Sequence, residues 1–333
     1  MTHLKRTVWL CLVLASGTCA GSSRAQRETA APAEARPPRE DPAAAPLEVR
    51  LVDPGKEPRQ PLRYHVAAGH SERLQLDLGT GVSLAVGDMR PPEVRSPPLR
   101  LKLELTVREV DARGRLNLGG TIVSAEVAPV GNVPAALGQA VASDLGRLQH
   151  ATFSAVITSR GVVEQLALPA PPDANPQLST MLSWVREAVR SLFPPLPDEP
   201  VGAGARWRSR RRLLVGPADA EVTAIYASNT ASDARMRVSI KLSFYGGEQT
   251  PVVEGLPPGT SLTLSNLGGT GGGEVQLDPA HLVQPQELRW TTTATGTTRP
   301  AGEPAAPVKM NTSGFLVVKG EVGSRQSTVD SRQ

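Results

Sequence analysis

The densest charge in the chain is Arg206-Trp207-Arg208-Ser209-Arg210-Arg211-Arg212. On a strand, alternate side chains share a face. Arg206, Arg208, Arg210 and Arg212 would then form one row, with Trp207 on the opposite side. Such a row could contact an anion: phosphate, anionic lipid headgroups or acidic polysaccharide. The plainer reading is a solvated strand face neutralised by acids on its neighbours. The five histidines are His3, His65, His70, His150 and His281. His65 and His70 flank an expected strand end and have no carboxylate or cysteine partner at metal spacing. No metal site is expected. The run Gly268-Gly269-Thr270-Gly271-Gly272-Gly273 invites a phosphate-loop reading. A phosphate cradle wants a helix N-terminus after the glycines and a Gly-Lys-Ser/Thr. Here Glu274-Val275-Gln276-Leu277 reads as a strand, so a flexible or bulged hairpin is expected. No Gly-x-Ser-x-Gly elbow occurs, and no spacing singles out a nucleophile, a base and an orienting acid. Among 32 acidic residues no pair stands out as catalytic carboxylates. No catalytic residue and no cofactor is expected, and the chain reads as non-enzymatic.

Composition narrows the partners. Only 3% of residues are aromatic, which leaves few stacking platforms for bases or sugars. The formal charge is +4, but Lys5, Arg6 and Arg24 lie in the first 25 residues, where there is no acid. Without that segment 33 basic residues face 32 acidic ones, so the basic balance does not call for nucleic acid. Residues 1–25 read as a secretory signal: Lys5 and Arg6, then a short apolar stretch Val8–Ala15, then small-x-Ala sites ending at Ala20 and Ala25. The apolar stretch is too short to span a bilayer, and no transmembrane span is expected. Cys19 offers an alternative, lipidation after cleavage, although Ser16-Gly17-Thr18 departs from the Leu-small-Gly/Ala pattern of that signal. Cys11 and Cys19 are the only cysteines. Export without disulfides suits a bacterial envelope. Residues 26–46 are rich in Ala and Pro without periodicity and read as a disordered tether.

The elements that would position any site fall around one helix. Asn175 can be its N-cap and Pro176 its first residue. Leu178, Met181, Leu182, Val185, Ala188, Val189, Leu192 and Phe193 recur at helical spacing, and Pro194-Pro195 end it. A shorter helix is expected over 134–148. Strand patterns lie on both sides. Residues 62–66 read as a first strand, and alternation continues through Leu74–Val86. Leu99, Leu101, Leu103, Leu105 and Val107 alternate strictly with polar residues, and Asp111-Ala112-Arg113-Gly114 turns the chain. The return strand slips parity between Ile122 and Val123, which predicts a bulge. Beyond residue 200, Met236–Phe244 repeats the strict alternation.

The expected fold is mainly β (α+β). A strongly curved antiparallel sheet, or two half-barrels, would be covered by one long amphipathic helix and a shorter one. The β-rich domain is expected over 47–323, divisible into halves at 47–175 and 195–323 joined by helix 176–193, with a polar tail at 324–333.

Pro61-Leu62-Arg63-Tyr64, Ala68-Gly69, the strand Leu74–Val86 and the hairpin Leu99–Leu116 resemble uncharacterised exported proteins of myxobacteria. Those are similar to the domain-of-unknown-function family 6263. There a helix precedes a segment like Pro200-Val201-Gly202…Trp207, and a Gly-rich strand pair like Gly268–Asp278 follows. The resemblance covers roughly 62–322. It implies a periplasmic or cell-envelope location and assigns no catalytic residue. Two roles follow as expectations. The first is binding of a lipid or amphiphile between sheet and helix, with Leu178, Met181, Leu182, Val185 and Val189 lining the cavity. The second is a cell-surface interaction or scaffold protein with a filled core, contacting an envelope protein or anionic polymer through its arginine row.

Overall fold

Alternating apolar and polar residues become strand over most of the chain. The computed structural model describes residues 47–321 apart from 91–92, 129–134, 172–173, 233–234, 252–258 and 303. The expected signal, tether, Cys19 and polar tail lie outside the described residues. The elements are β1 (Glu48–Asp53), β2 (Lys56–Gln60), β3 (Ser71–Val86), β4 (Val94–Arg95), β5 (Leu99–Val110), β6 (Leu116–Val127), α1 (Ala135–Gly146), β7 (Thr152–Ile157) and β8 (Val163–Ala167). They continue with α2 (Pro176–Ser191), β9 (Val201–Ala203), β10 (Arg206–Val215), β11 (Ala218–Ser232), β12 (Arg235–Gly246), β13 (Ser261–Leu277), β14 (Gln286–Arg299) and β15 (Ala306–Glu321).

The fold is mainly β. One antiparallel sheet of 13 strands runs in the order β1-β10-β11-β12-β13-β14-β15-β3-β5-β6-β7-β8, with β4 beside β3 and a separate β2-β9 pair. Two long-range pairings set this order. β15 pairs with β3 from Val308↔Val86 to Glu321↔Arg73, and β1 pairs with β10. Strands from both sides of α2 therefore share one sheet.

The expected strong curl into a barrel or two half-barrels is not adopted. No pairing joins β1 to β8 among the described residues. Both edges are short, and β1 carries Glu48, Arg50 and Asp53, which disfavour further strand addition. α2 also covers the β8 side, where Arg186 Nη2 donates to the Leu168 carbonyl at 2.7 Å. The cover is two helices of 16 and 12 residues, neither of them long.

Local rules account for much of the detail. Asn175 Oδ1 accepts the Leu178 N–H at 2.7 Å, an N-cap of the kind that stabilises a helix by roughly 1 kcal/mol. Asn175 Nδ2 also donates to Asp144 of α1 at 3.0 Å, tying the two helices together. The bulge falls at Val123: Leu103 faces Ile122, and Lys102 faces Ser124. Asp111 Oδ1 accepts the N–H groups of Arg113 and Arg115, and Gly114 takes φ +72°.

Two expectations are corrected. Residues 62–66 join no strand; Tyr64 N–H donates instead to Ser159 O and His65 N–H to Pro279 O. The glycine run is not a hairpin. It lies inside β13, paired with β12 on one side and β14 on the other. At Gly269, Gly271, Gly272 and Gly273 neighbouring backbone approaches too closely for a side chain, so these glycines sit within the ladder.

The eight apolar residues of the α2 stripe are all buried. They share a core cluster with Leu74 and Leu76 of β3, Leu101 and Leu103 of β5, Ile122 of β6, Phe153 of β7 and Trp207 of β10. A second cluster of buried residues comes from strands, including Val222, Phe244, Leu264, Ala294 and Met310.

Candidate functional site

A cavity of about 230 Å3 lies between α2 and the inner sheet face. Its helix wall is Trp184, Glu187, Ala188 and Ser191, a stripe at i, i+3, i+4 and i+7. Over the middle of the sheet its wall is made of alternate residues, while the consecutive Leu78–Thr80 and Leu213–Gly216 line its rim. β10 gives Ser209, Arg211 and Leu213, and β11 gives Val222, Ala224 and Tyr226. β12 gives Ile240, Leu242 and Phe244, and β14 gives Gln286, Leu288 and Trp290. Between Leu242 and Trp290, β13 offers Gly271, which has no side chain to fill the space. The Trp290 indole lies against Gly314, where an added Cβ would sit 2.2 Å from the ring.

The lining is apolar with a few placed polar groups, the usual make-up of a ligand site. Arg211 Nη1 stands 3.6 Å from Glu187, and Nη2 donates to Ser191 Oγ at 3.1 Å. Gln286 Nε2 donates to the Ser191 carbonyl at 2.7 Å. Arg211 and Glu187 are each 29% exposed, so this polar group sits where the site meets solvent. Burial pushes the Tyr226 phenol up, and it stays neutral. Thr312 Oγ1, also on the wall, is buried with no hydrogen-bond partner among the described residues.

The expected cavity residues are elsewhere. Leu178, Met181, Leu182, Val185 and Val189 are between 0% and 3% exposed and pack in the main core. The site uses the neighbouring stripe of the same helix, at the border of its apolar and polar faces. Trp184 on that border was the available signal.

Arg206, Arg208, Arg210 and Arg212 are exposed on one face of β10, with Trp207 and Ser209 buried on the other. Of the four, only Arg210 makes an ion pair among the described residues, with Glu48 at 2.9 Å and Glu221 at 3.8 Å, although Asp53 stands opposite Arg206 and Glu221 opposite Arg212 in the strand register. Arg208 stands opposite Arg50 in the β1 register.

The histidine reading also needs correction. His70, just before β3, has a carboxylate partner in Glu72, the second residue of that strand. The fold adds His281 from the β13–β14 connection. The first pairing was legible as close spacing in sequence, but the second depends on strand order.

No family model matches the chain, and no curated protein matches it. Among solved structures, a loop L8 deletion mutant of OmpT, an outer membrane protein of Vibrio cholerae, is 9% identical with a TM-score of 0.15, over 76% of this chain and 100% of that one. In-vitro folded OmpT of Vibrio cholerae is 9% identical with a TM-score of 0.14, over 77% of this chain and 99% of that one. At these scores the likeness carries no argument. No helix among the described residues is long and apolar enough to cross a membrane, which says nothing of spanning strands.

Proposed function

We propose that this is an exported, non-enzymatic protein of the bacterial envelope that binds a lipid-like or amphiphilic ligand between sheet and helix. The observation that carries the reading is the cavity: walls of Trp184, Leu242, Leu288 and Trp290, with Arg211, Glu187 and Ser191 grouped at one place. An apolar chain or ring would displace water from the walls, and a polar head would sit beside Arg211. The Thr312 hydroxyl gives a ligand one further polar contact. The volume is below the roughly 300–1,000 Å3 of drug-sized sites, which favours a single chain or ring. Export rests on the signal-like residues 1–25 and the absence of cysteine beyond Cys19.

Native mass spectrometry of protein purified from its own envelope, followed by organic extraction, tests this. A bound amphiphile is expected. Ala224 is buried on the cavity wall, and Ala224→Phe would fill the space with an aromatic ring. The variant should remain folded and bind a fluorescent fatty acid at least about tenfold more weakly, as loss of a buried apolar contact of ~1.4 kcal/mol or more implies. Wild-type protein that carries no amphiphile and binds no probe would end this reading.

A second reading is supported by one observation. Arg206, Arg208 and Arg212 make no ion pair among the described residues, so the row can meet an anionic polymer or envelope protein. The double variant Arg208→Glu/Arg212→Glu should then abolish salt-sensitive retention on an anionic polysaccharide column. Unchanged retention would remove the row as a contact.

A further inference from the structure

We propose that His70, Glu72 and His281 form a binding site for a divalent transition-metal ion, with Zn2+ as its probe. The three side chains place their ligand atoms within 4.8 Å of one another. His70 Nε2 is 2.7 Å and His281 Nδ1 is 3.2 Å from the same oxygen, Glu72 Oε1. Two imidazoles and a carboxylate are a common donor set for zinc, with metal bonds of about 2.0–2.2 Å. Tetrahedral ligands at that radius stand roughly 3.4 Å apart, so the observed spacing needs only small adjustments.

The carboxylate is already held in place. Oε1 accepts the Leu282 N–H at 3.0 Å and Oε2 accepts the Val283 N–H at 2.8 Å. Oε1 thus meets three nitrogen atoms at once, more than its two lone-pair directions accommodate. An ion between the imidazoles and the carboxylate would replace two of those contacts with metal bonds. It needs a lone pair on His70 Nε2 and on His281 Nδ1, which puts the His281 proton on Nε2. That nitrogen faces Asp278 Oδ2 at 3.7 Å. A carboxylate behind a ligating histidine orients the ring and raises its basicity. His281 is 47% exposed, so the fourth position opens to solvent, as in exchangeable rather than closed structural sites.

The test uses the purified full chain, stripped with a chelator and titrated with Zn2+ against a chromophoric competitor. One equivalent should bind, and Co2+ should give the visible absorption of a low-coordinate site. His281→Ala, on an exposed loop, should weaken Zn2+ binding by more than about tenfold, since even partners behind the ligands are worth 10–100-fold. His150→Ala should not change it. Glu72 also anchors two backbone N–H groups, so its variants test folding as well as binding and His281→Ala decides the question. A stoichiometry below one, or His281→Ala titrating like wild type, would overturn the site.

Discussion

Trp207→Ala is expected to lower the unfolding free energy by about 3–5 kcal/mol, the usual range for removing a large buried aromatic side chain. Three losses combine. Trp207 is fully buried between sheet and helix cover, so its removal leaves a large void. Its ring stacks on Tyr226, with centroids 5.4 Å apart and planes 7° apart. Its Nε1 donates to the Pro195 carbonyl at 2.8 Å, just past the end of α2. Without that donor a buried carbonyl goes unpaired, which costs roughly 1–3 kcal/mol on its own. Trp207→Phe separates the terms: it keeps most of the packing and loses the hydrogen bond. Urea unfolding followed by circular dichroism should rank wild type, Phe and Ala in that order. An alanine variant within about 1 kcal/mol of wild type would mean that Trp207 does not anchor α2 to β10.

The second large effect separates two glycines in one run. At Gly273 an added Cβ would lie 1.7 Å from the backbone oxygen of Glu287 on β14. Backbone in the middle of a sheet cannot move aside as a flexible side chain can. Gly273→Ala should cost about 3 kcal/mol or more, the upper end of overpacking effects, by forcing β13 and β14 apart. At Gly268 nothing lies within 4 Å of the added atom. Gly268→Ala should be neutral or stabilising by about 0.4–1 kcal/mol, because it restricts the unfolded chain. Denaturant midpoints of the two variants check this. If Gly268→Ala were the more damaging, the β13–β14 register would be wrong.

The strand with Leu99 through Val107 and the helix over Pro176–Ser191 were legible because their periods are local. Each residue's face depends only on its neighbours a few positions away. The same holds for the bulge at Val123, the cap at Asn175 and the shared face of the β10 arginines. The glycine run misled because composition reports conformational freedom and not the distance to another strand. The cavity stripe misled for a related reason. The most apolar residues of α2 went to the filled core, and the site took the border residues Trp184, Glu187, Ala188 and Ser191.

By itself the sequence determined cysteine-free residues beyond Cys19, a mainly β chain and an amphipathic helix with an Asn175 cap at its start and Pro194-Pro195 at its end. Only the tertiary structure decided which strands meet. β15 beside β3 puts β3 two strands from β14, and that brings His281 to Glu72 across 209 residues. It also decided that Arg211 of β10 would meet Glu187 of α2 beside the cavity. Side-chain alternation is set within a strand, whereas pairing between strands is set by how all their apolar faces can be buried together.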